Sequence, residues 1–154
     1  MRISDIMTQA AVTEQQDDSL ASAARRMWEE QTGSMLVLDG EDLVGIVTER
    51  DILRAVATGV DLSQTRVGEA MTKDLVTATP GTSLREAARI MTERWIRHLP
   101  ILDGGRLVGI VSQRDLSGVL AGALNEPEHL HRLIESSELV RERRLKRIEQ
   151  GDYD

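Results

Sequence analysis

The sequence predicts an α+β fold in which two β-α-β-β-α copies pack on each other and one further helix follows. Three observations lead there. Sliding the 154-residue chain against itself by 64 positions aligns residues 2–58 with 66–122 without a gap, and 23 of the 57 positions are identical. Unrelated segments agree at about one position in fifteen, so this is an internal duplication. Within each copy the apolar spacing switches between strand and helix periods in the same order. Finally, a single copy holds too few strands and helices to cover both faces of its sheet, so the two must share a core.

The elements follow in order. Asp5-Ile6-Met7-Thr8 answers Glu69-Ala70-Met71-Thr72, and Val12-Thr13 answers Val76-Thr77 as a short extended piece. A helix comes next, with Ser19 as cap and Leu20, Ala23, Ala24 and Met27 on one stripe; in the second copy Ser83 precedes Leu84, Ala87, Ala88 and Met91. Met35-Leu36-Val37-Leu38 and Leu99-Pro100-Ile101-Leu102 read as buried strands, each ended by an Asp-Gly turn signal at Asp39-Gly40 and Asp103-Gly104. Leu43 to Val47 and Leu107 to Val111 are the returning strands, and second helices start at Glu49 and Gln113. The organisation predicted is a first copy over 1–58, a linker over 59–65, a second copy over 66–122 and a helical extension over 125–150, capped by Asn125 with Pro127 in its first turn.

Composition narrows the function. A net charge of −7 opposes the clustered cations that nucleic acid or anionic lipid requires, so neither is expected as a partner. The absence of cysteine removes thiol nucleophiles, disulfides and thiolate metal sites. No apolar run reaches the length of a membrane span and Met1 to Thr8 lacks a signal-peptide profile, which makes the cytoplasm the expected compartment. The basic run Arg141 to Arg147 lies in a segment, 125–154, whose acids outnumber its bases, and reads as a solvated helix face. Met27 with Trp28, and Met91 with Trp95, are expected to pack at a dimer face.

The most informative match is Gly45-Ile46-Val47-Thr48-Glu49-Arg50-Asp51 against Gly109-Ile110-Val111-Ser112-Gln113-Arg114-Asp115. Each is a strand entering a helix with a hydroxyl at its mouth. Taken alone it is a capping box, in which Thr or Ser caps the helix and the acid three residues later reaches back. Two features go beyond a cap. Gly45 and Gly109 sit inside buried strands, where glycine marks close approach of a ligand or of another backbone. Arg50 and Arg114 place a cation beside a helix N-terminus that already favours anions. Together these groups suit a ribose phosphate, with the Asp accepting from ribose hydroxyls and the hydroxyl and helix mouth facing phosphate.

The strings VGIVTERD and RHLPILDGGRLVGIVSQRDL, with DIMT and EAMT opening the copies, resemble the CBS-domain family, paired modules first recognised in cystathionine β-synthase. The resemblance covers about residues 2–122. It implies a pseudo-two-fold pair with two clefts that take AMP, ADP, ATP or S-adenosyl compounds, AMP foremost, with no required cofactor and with dimers of pairs. By position, one cleft would combine Thr48, Arg50 and Asp51 with Val76, Ile96, Arg97 and His98. The other would combine Ser112, Arg114 and Asp115 with Val12, Thr32, Gly33 and Ser34. Ile46 and Ile110 would wall the adenine. Arg97-His98 aligns with Gly33-Ser34, so the first cleft is expected to hold phosphate more tightly, while the second leaves room for a ligand without phosphate, such as S-adenosylmethionine. Two functions stay open on these residues: a regulatory module whose ligand shifts the pair for a protein partner to read, and a ligand-free dimeric scaffold acting through the C-terminal helix. No serine–histidine–acid or metal cluster suggesting an enzyme is visible.

Overall fold

The structure is a computed structural model that describes residues 1–9 and 11–123. The first copy runs β1 (Thr13–Gln15), α1 (Leu20–Glu29), β2 (Ser34–Asp39), β3 (Asp42–Thr48) and α2 (Glu49–Ala57). A short helix α3 (Val67–Ala70) then leads to α4 (Leu84–Arg94), β4 (His98–Asp103), β5 (Arg106–Ser112) and α5 (Gln113–Ala123). The α+β architecture with its duplication is as predicted, but the copies do not share one core: their buried residues form two clusters, one for each copy, because each copy's sheet is completed by the opening segment of the other. The extension over 125–150 lies outside the described residues.

Ser19 and Ser83 cap α1 and α4 as expected, their hydroxyls accepting from the amides of Ser22 at 3.1 Å and Glu86 at 3.2 Å. The helices bury Leu20, Ala23 and Met27 on one side and Ala87 and Met91 on the other. Both methionines are therefore core residues and not part of a dimer face. Trp28, in contrast, is 77% exposed. The β2–β3 and β4–β5 hairpins close through two-residue turns between Asp39 and Asp42 and between Asp103 and Arg106. The positive φ that such turns demand falls on Gly40 in the first, and on Gly104 and Gly105 in the second.

The copies differ at their first strand. In the first, β1 runs parallel to β2, with Glu14 opposite Val37, giving a sheet in the order β1-β2-β3. In the second, only a single parallel bridge from Ala78 to Ile101 remains beside the β4-β5 ladder. Proline accounts for the loss. Gln16 donates its amide to the Leu38 carbonyl at 2.9 Å, and the aligned residue is Pro80, which has no N–H to give.

The opening segments are exchanged between the copies. Thr8 pairs with Ile110 on β5, each amide donating to the other's carbonyl at 3.0 Å, and Thr72 pairs with Ile46 on β3 in the same way at 2.9 and 3.0 Å. Ile3 is fully buried in the core of the second copy with Leu99, Ile101 and Val111, whereas Val67 is fully buried in the core of the first with Leu20, Met35 and Val47. This crossing explains Gly45 and Gly109. A Cβ on Gly45 would run into the Met71 side chain and stand 3.0 Å from the Thr72 carbonyl oxygen; on Gly109 it would stand 2.8 Å from the Thr8 carbonyl oxygen. Of the two readings for these glycines, the structure selects another backbone over a ligand.

One buried polar group distinguishes the first copy. Glu14 is 6% exposed where the second copy has the core residue Ala78. One carboxylate oxygen, Oε1, lies 3.3 Å from Arg26, and the other, Oε2, is buried with no hydrogen-bond partner among the described residues. Burial raises its pKa above the ordinary 4.5, reinforced by the nearby Asp18 carboxyl and opposed by Arg26. A carboxyl raised in the folded state binds its proton more tightly there than in the unfolded chain. Its stabilising contribution is present below pH 4.5 and is lost as pH rises through the raised value. Glu14→Gln removes that titration, so its stability relative to the parent chain should climb as pH rises from 4.5 to neutrality. Urea unfolding across that range checks this; a constant difference would show that Glu14 titrates as an ordinary carboxylate.

Candidate functional site

The two helix mouths are built alike. At α2, the Asp51 Oδ2 accepts from the Thr48 amide at 2.8 Å and from its hydroxyl at 3.0 Å. At α5, the Asp115 Oδ2 accepts from the Ser112 amide and hydroxyl, both at 2.7 Å, and the Ser112 Oγ accepts the Asp115 amide at 3.3 Å. The capping box is thus present, and it commits one oxygen of each aspartate to its own turn. The other oxygen of Asp51, Oδ1, lies 3.8 Å from Arg54, whose aligned residue is Gly118. Asp51 is buried and Asp115 half-buried. A carboxylate held at a helix start, with one oxygen outside the cap, is able to accept from ribose hydroxyls.

The strand ends that precede β2 and β4 abut these mouths. Ser34 lies opposite Thr48 and His98 opposite Ser112 in the hairpin registers. The Glu49 amide donates to the Gly33 carbonyl at 3.0 Å and the Gln113 amide to the Arg97 carbonyl at 2.8 Å. Thr32 closes a small turn, its hydroxyl donating to the Ser34 carbonyl at 3.0 Å. In both copies the chain enters this stretch through a non-glycine residue in the left-handed region, Gln31 at φ 53° and Trp95 at φ 55°. Each turns the helix end sharply toward the site strand.

One interaction crosses between the copies at this point. The Arg97 guanidinium lies 3.6 Å from the Glu49 carboxylate. Glu49, Arg50, Leu53 and Arg97 line an open concavity of about 350 Å³. The structure therefore brings Arg50 of the first copy and Arg97 of the second to one place, at the start of the helix that carries the buried Asp51. His98 is half-buried and lies opposite Ser112 in its own hairpin. Burial first, and then Arg97, push its pKa below the ordinary 6.5, against smaller opposing effects of Glu49 and Asp115. The lowering favours the neutral imidazole, which can donate one hydrogen bond.

The sequence matches the CBS domain family model over residues 3–58 and again over residues 67–122. The chain belongs to the CBS domain family. It is 39% identical over 116 residues to the CBS domain-containing protein YhcV of Bacillus subtilis, covering 75% of this chain and 82% of that one. Among solved structures it is similar to a signal-transduction protein with CBS domains from Burkholderia ambifaria, described as putative, at 38% identity and TM-score 0.73, covering 77% and 88% of the two chains. It is also similar to the CBS domain pair of protein MJ0100, solved in complex with 5′-methylthioadenosine and S-adenosyl-L-methionine, at 27% identity and TM-score 0.74, covering 80% and 98%.

The remaining predicted residues of this CBS pair are placed as follows. Val12 packs against the first core, and Val76 and Ile96 against the second. Ile46 and Ile110 are half-buried on β3 and β5, their backbones engaged by the exchanged segments, while Arg114 is exposed and Ser34 is 5% exposed. Glu49 and Leu53 line the concavity and were not singled out from the sequence. The signal for Glu49 was a charge difference: its aligned partner is the neutral Gln113. No helix among the described residues is long and apolar enough to cross a membrane.

Proposed function

We propose that this CBS pair is a regulatory module that binds an adenosine nucleotide, AMP foremost, in the cleft between Asp51 and Arg97. The observation that carries the reading is the approach of Arg97 from one copy to Glu49 and Arg50 at the start of the other copy's α2, the helix whose first turn holds the buried, cap-bound Asp51. In this arrangement the Asp51 carboxylate accepts from the ribose hydroxyls. Thr48, Arg50 and Arg97 face the phosphate, with His98 donating at the edge. Ile46, Val76 and Ile96 provide the apolar walls for adenine. The 27%-identical pair solved with 5′-methylthioadenosine and S-adenosyl-L-methionine supports an adenosine-type ligand for this fold.

The second cleft, with Ser112, Arg114 and Asp115 facing Val12, Thr32, Gly33 and Ser34 and with Ile110 as wall, carries no arginine on its strand side. It suits a ligand without phosphate, such as S-adenosylmethionine. The module acts without chemistry of its own, as a cytoplasmic homodimer whose ligand-driven rearrangement is read by a partner protein. Exposed Trp28, Val56 and Leu120 support association through the helices.

Titration calorimetry and thermal shift with AMP, ADP, ATP and S-adenosylmethionine test the reading. AMP should bind and raise the melting temperature by mass action. Absence of heat and of thermal shift for all four at millimolar concentration would leave the ligand-free scaffold as the better account.

A further inference from the structure

The Glu49–Arg97 pair is an anomaly among the interactions at the site. Its two side chains are 65% and 49% exposed, and an ion pair so placed contributes little to holding the copies together. Yet Glu49 is positioned from both sides. Its amide is held by the Gly33 carbonyl, and a Cβ on Gly33 would stand 3.4 Å from the Glu49 carboxyl carbon, so this side chain lies over the end of β2 while its carboxylate reaches Arg97. It spans the opening from one copy to the other.

The duplication supplies an internal comparison. At the positions of Glu49 and Arg97 the opposite mouth has Gln113 and Gly33. The carboxylate and the guanidinium are present together in one mouth and missing together in the other. A carboxylate serving only the start of its own helix would have no reason to follow an arginine on a distant strand.

Building on the adenosine-nucleotide reading, we infer that Glu49 is a specificity-determining residue, a built-in counterion to Arg97 that a ligand's phosphate must displace. A phosphate outcompetes it, because a guanidinium binds phosphate bidentately and more strongly than a carboxylate 3.6 Å away. Once displaced, the carboxylate remains beside the phosphate and repels it, and each added phosphate meets more of that repulsion. Glu49 thereby grades affinity downward from mono- to polyphosphates and leaves an uncharged adenosine compound untouched. Because both side chains are solvent-accessible, the effect fades as ionic strength rises.

The test compares adenosine, AMP and ADP by titration calorimetry on the parent chain and on Glu49→Gln, at low and at high salt. Glu49→Gln should bind AMP about three- to fivefold more tightly at low salt, and gain more for ADP than for AMP. Adenosine affinity should be unchanged, and the gain should shrink at high salt. In the Arg97→Gln background the gain for AMP should shrink without vanishing, since the masking of the cation is gone and only the direct repulsion of the phosphate is left to relieve. Equal melting temperatures of the ligand-free variants verify that the fold is retained. An unchanged AMP affinity, or an equal gain for adenosine, overturns the role of Glu49 while leaving the nucleotide site standing. Failure of all three compounds to bind the parent chain overturns the site itself, and this role with it.

Discussion

Asp51→Asn is expected to weaken AMP binding by roughly a hundredfold, about 3 kcal/mol, while Asp115→Asn leaves the cleft shared with Arg97 largely intact. The substitution keeps the size of a side chain that is only 8% exposed and keeps one acceptor oxygen for the Thr48 cap. What it removes is the negative charge that two ribose hydroxyls would share and the second acceptor oxygen, replaced by an amide that donates. The variant will also lose about 1 kcal/mol of stability through the weakened cap. Unfolding of the ligand-free chain measures that loss separately from calorimetric binding. If Asp51→Asn binds AMP as tightly as the parent while showing the stability loss, the carboxylate serves only its own helix.

Gly109→Ala is expected to destabilise the fold by about 3 kcal/mol, and Gly45→Ala by roughly 2 kcal/mol. The order follows from what stands in the way. The new methyl on residue 109 would lie 2.8 Å from the Thr8 carbonyl oxygen, a backbone atom fixed by its ladder to Ile110. At residue 45 the first obstacle is the Met71 side chain, which has torsions free to yield, with the Thr72 carbonyl oxygen at 3.0 Å behind it. Met71→Ala should therefore recover part of the loss in Gly45→Ala, and Met7→Ala should recover little in Gly109→Ala. Melting temperatures would read these differences directly, with Gly109→Ala lowered by roughly 6–12 °C. Wild-type stability in Gly109→Ala would show that the exchanged segment is not packed as described.

The parts of this molecule that were legible in the sequence are those set by local spacing. A stripe of Leu20, Ala23 and Met27 behind Ser19 specifies a capped helix wherever it occurs, and the Asp-Gly pairs specify tight returns. The loss of the second copy's first strand was readable in principle, since Pro80 stands where Gln16 donates, but the partner carbonyl was not visible without the sheet. The exchange of opening segments left no trace in periodicity. Met7-Thr8 and Met71-Thr72 are the same residues at the same offset from their strands, so sequence alone cannot say whether each serves its own copy or the other. At the site, Thr48, Asp51, Ser112 and Asp115 were marked by the capping pattern. Glu49 was hidden by it, because an acid in the first turn of a helix needs no other explanation until Arg97 is seen across the opening.

The crossing of Thr8 onto β5 and of Thr72 onto β3 makes the two halves a clasp, each gripping the leading end of the other. Such a pair has no hinge about which it could open like a book, because parting the halves would strip both edge strands at once. On the proposed function, a ligand-driven change in this pair would take the form of a tilt or slide of the helices over an undivided base.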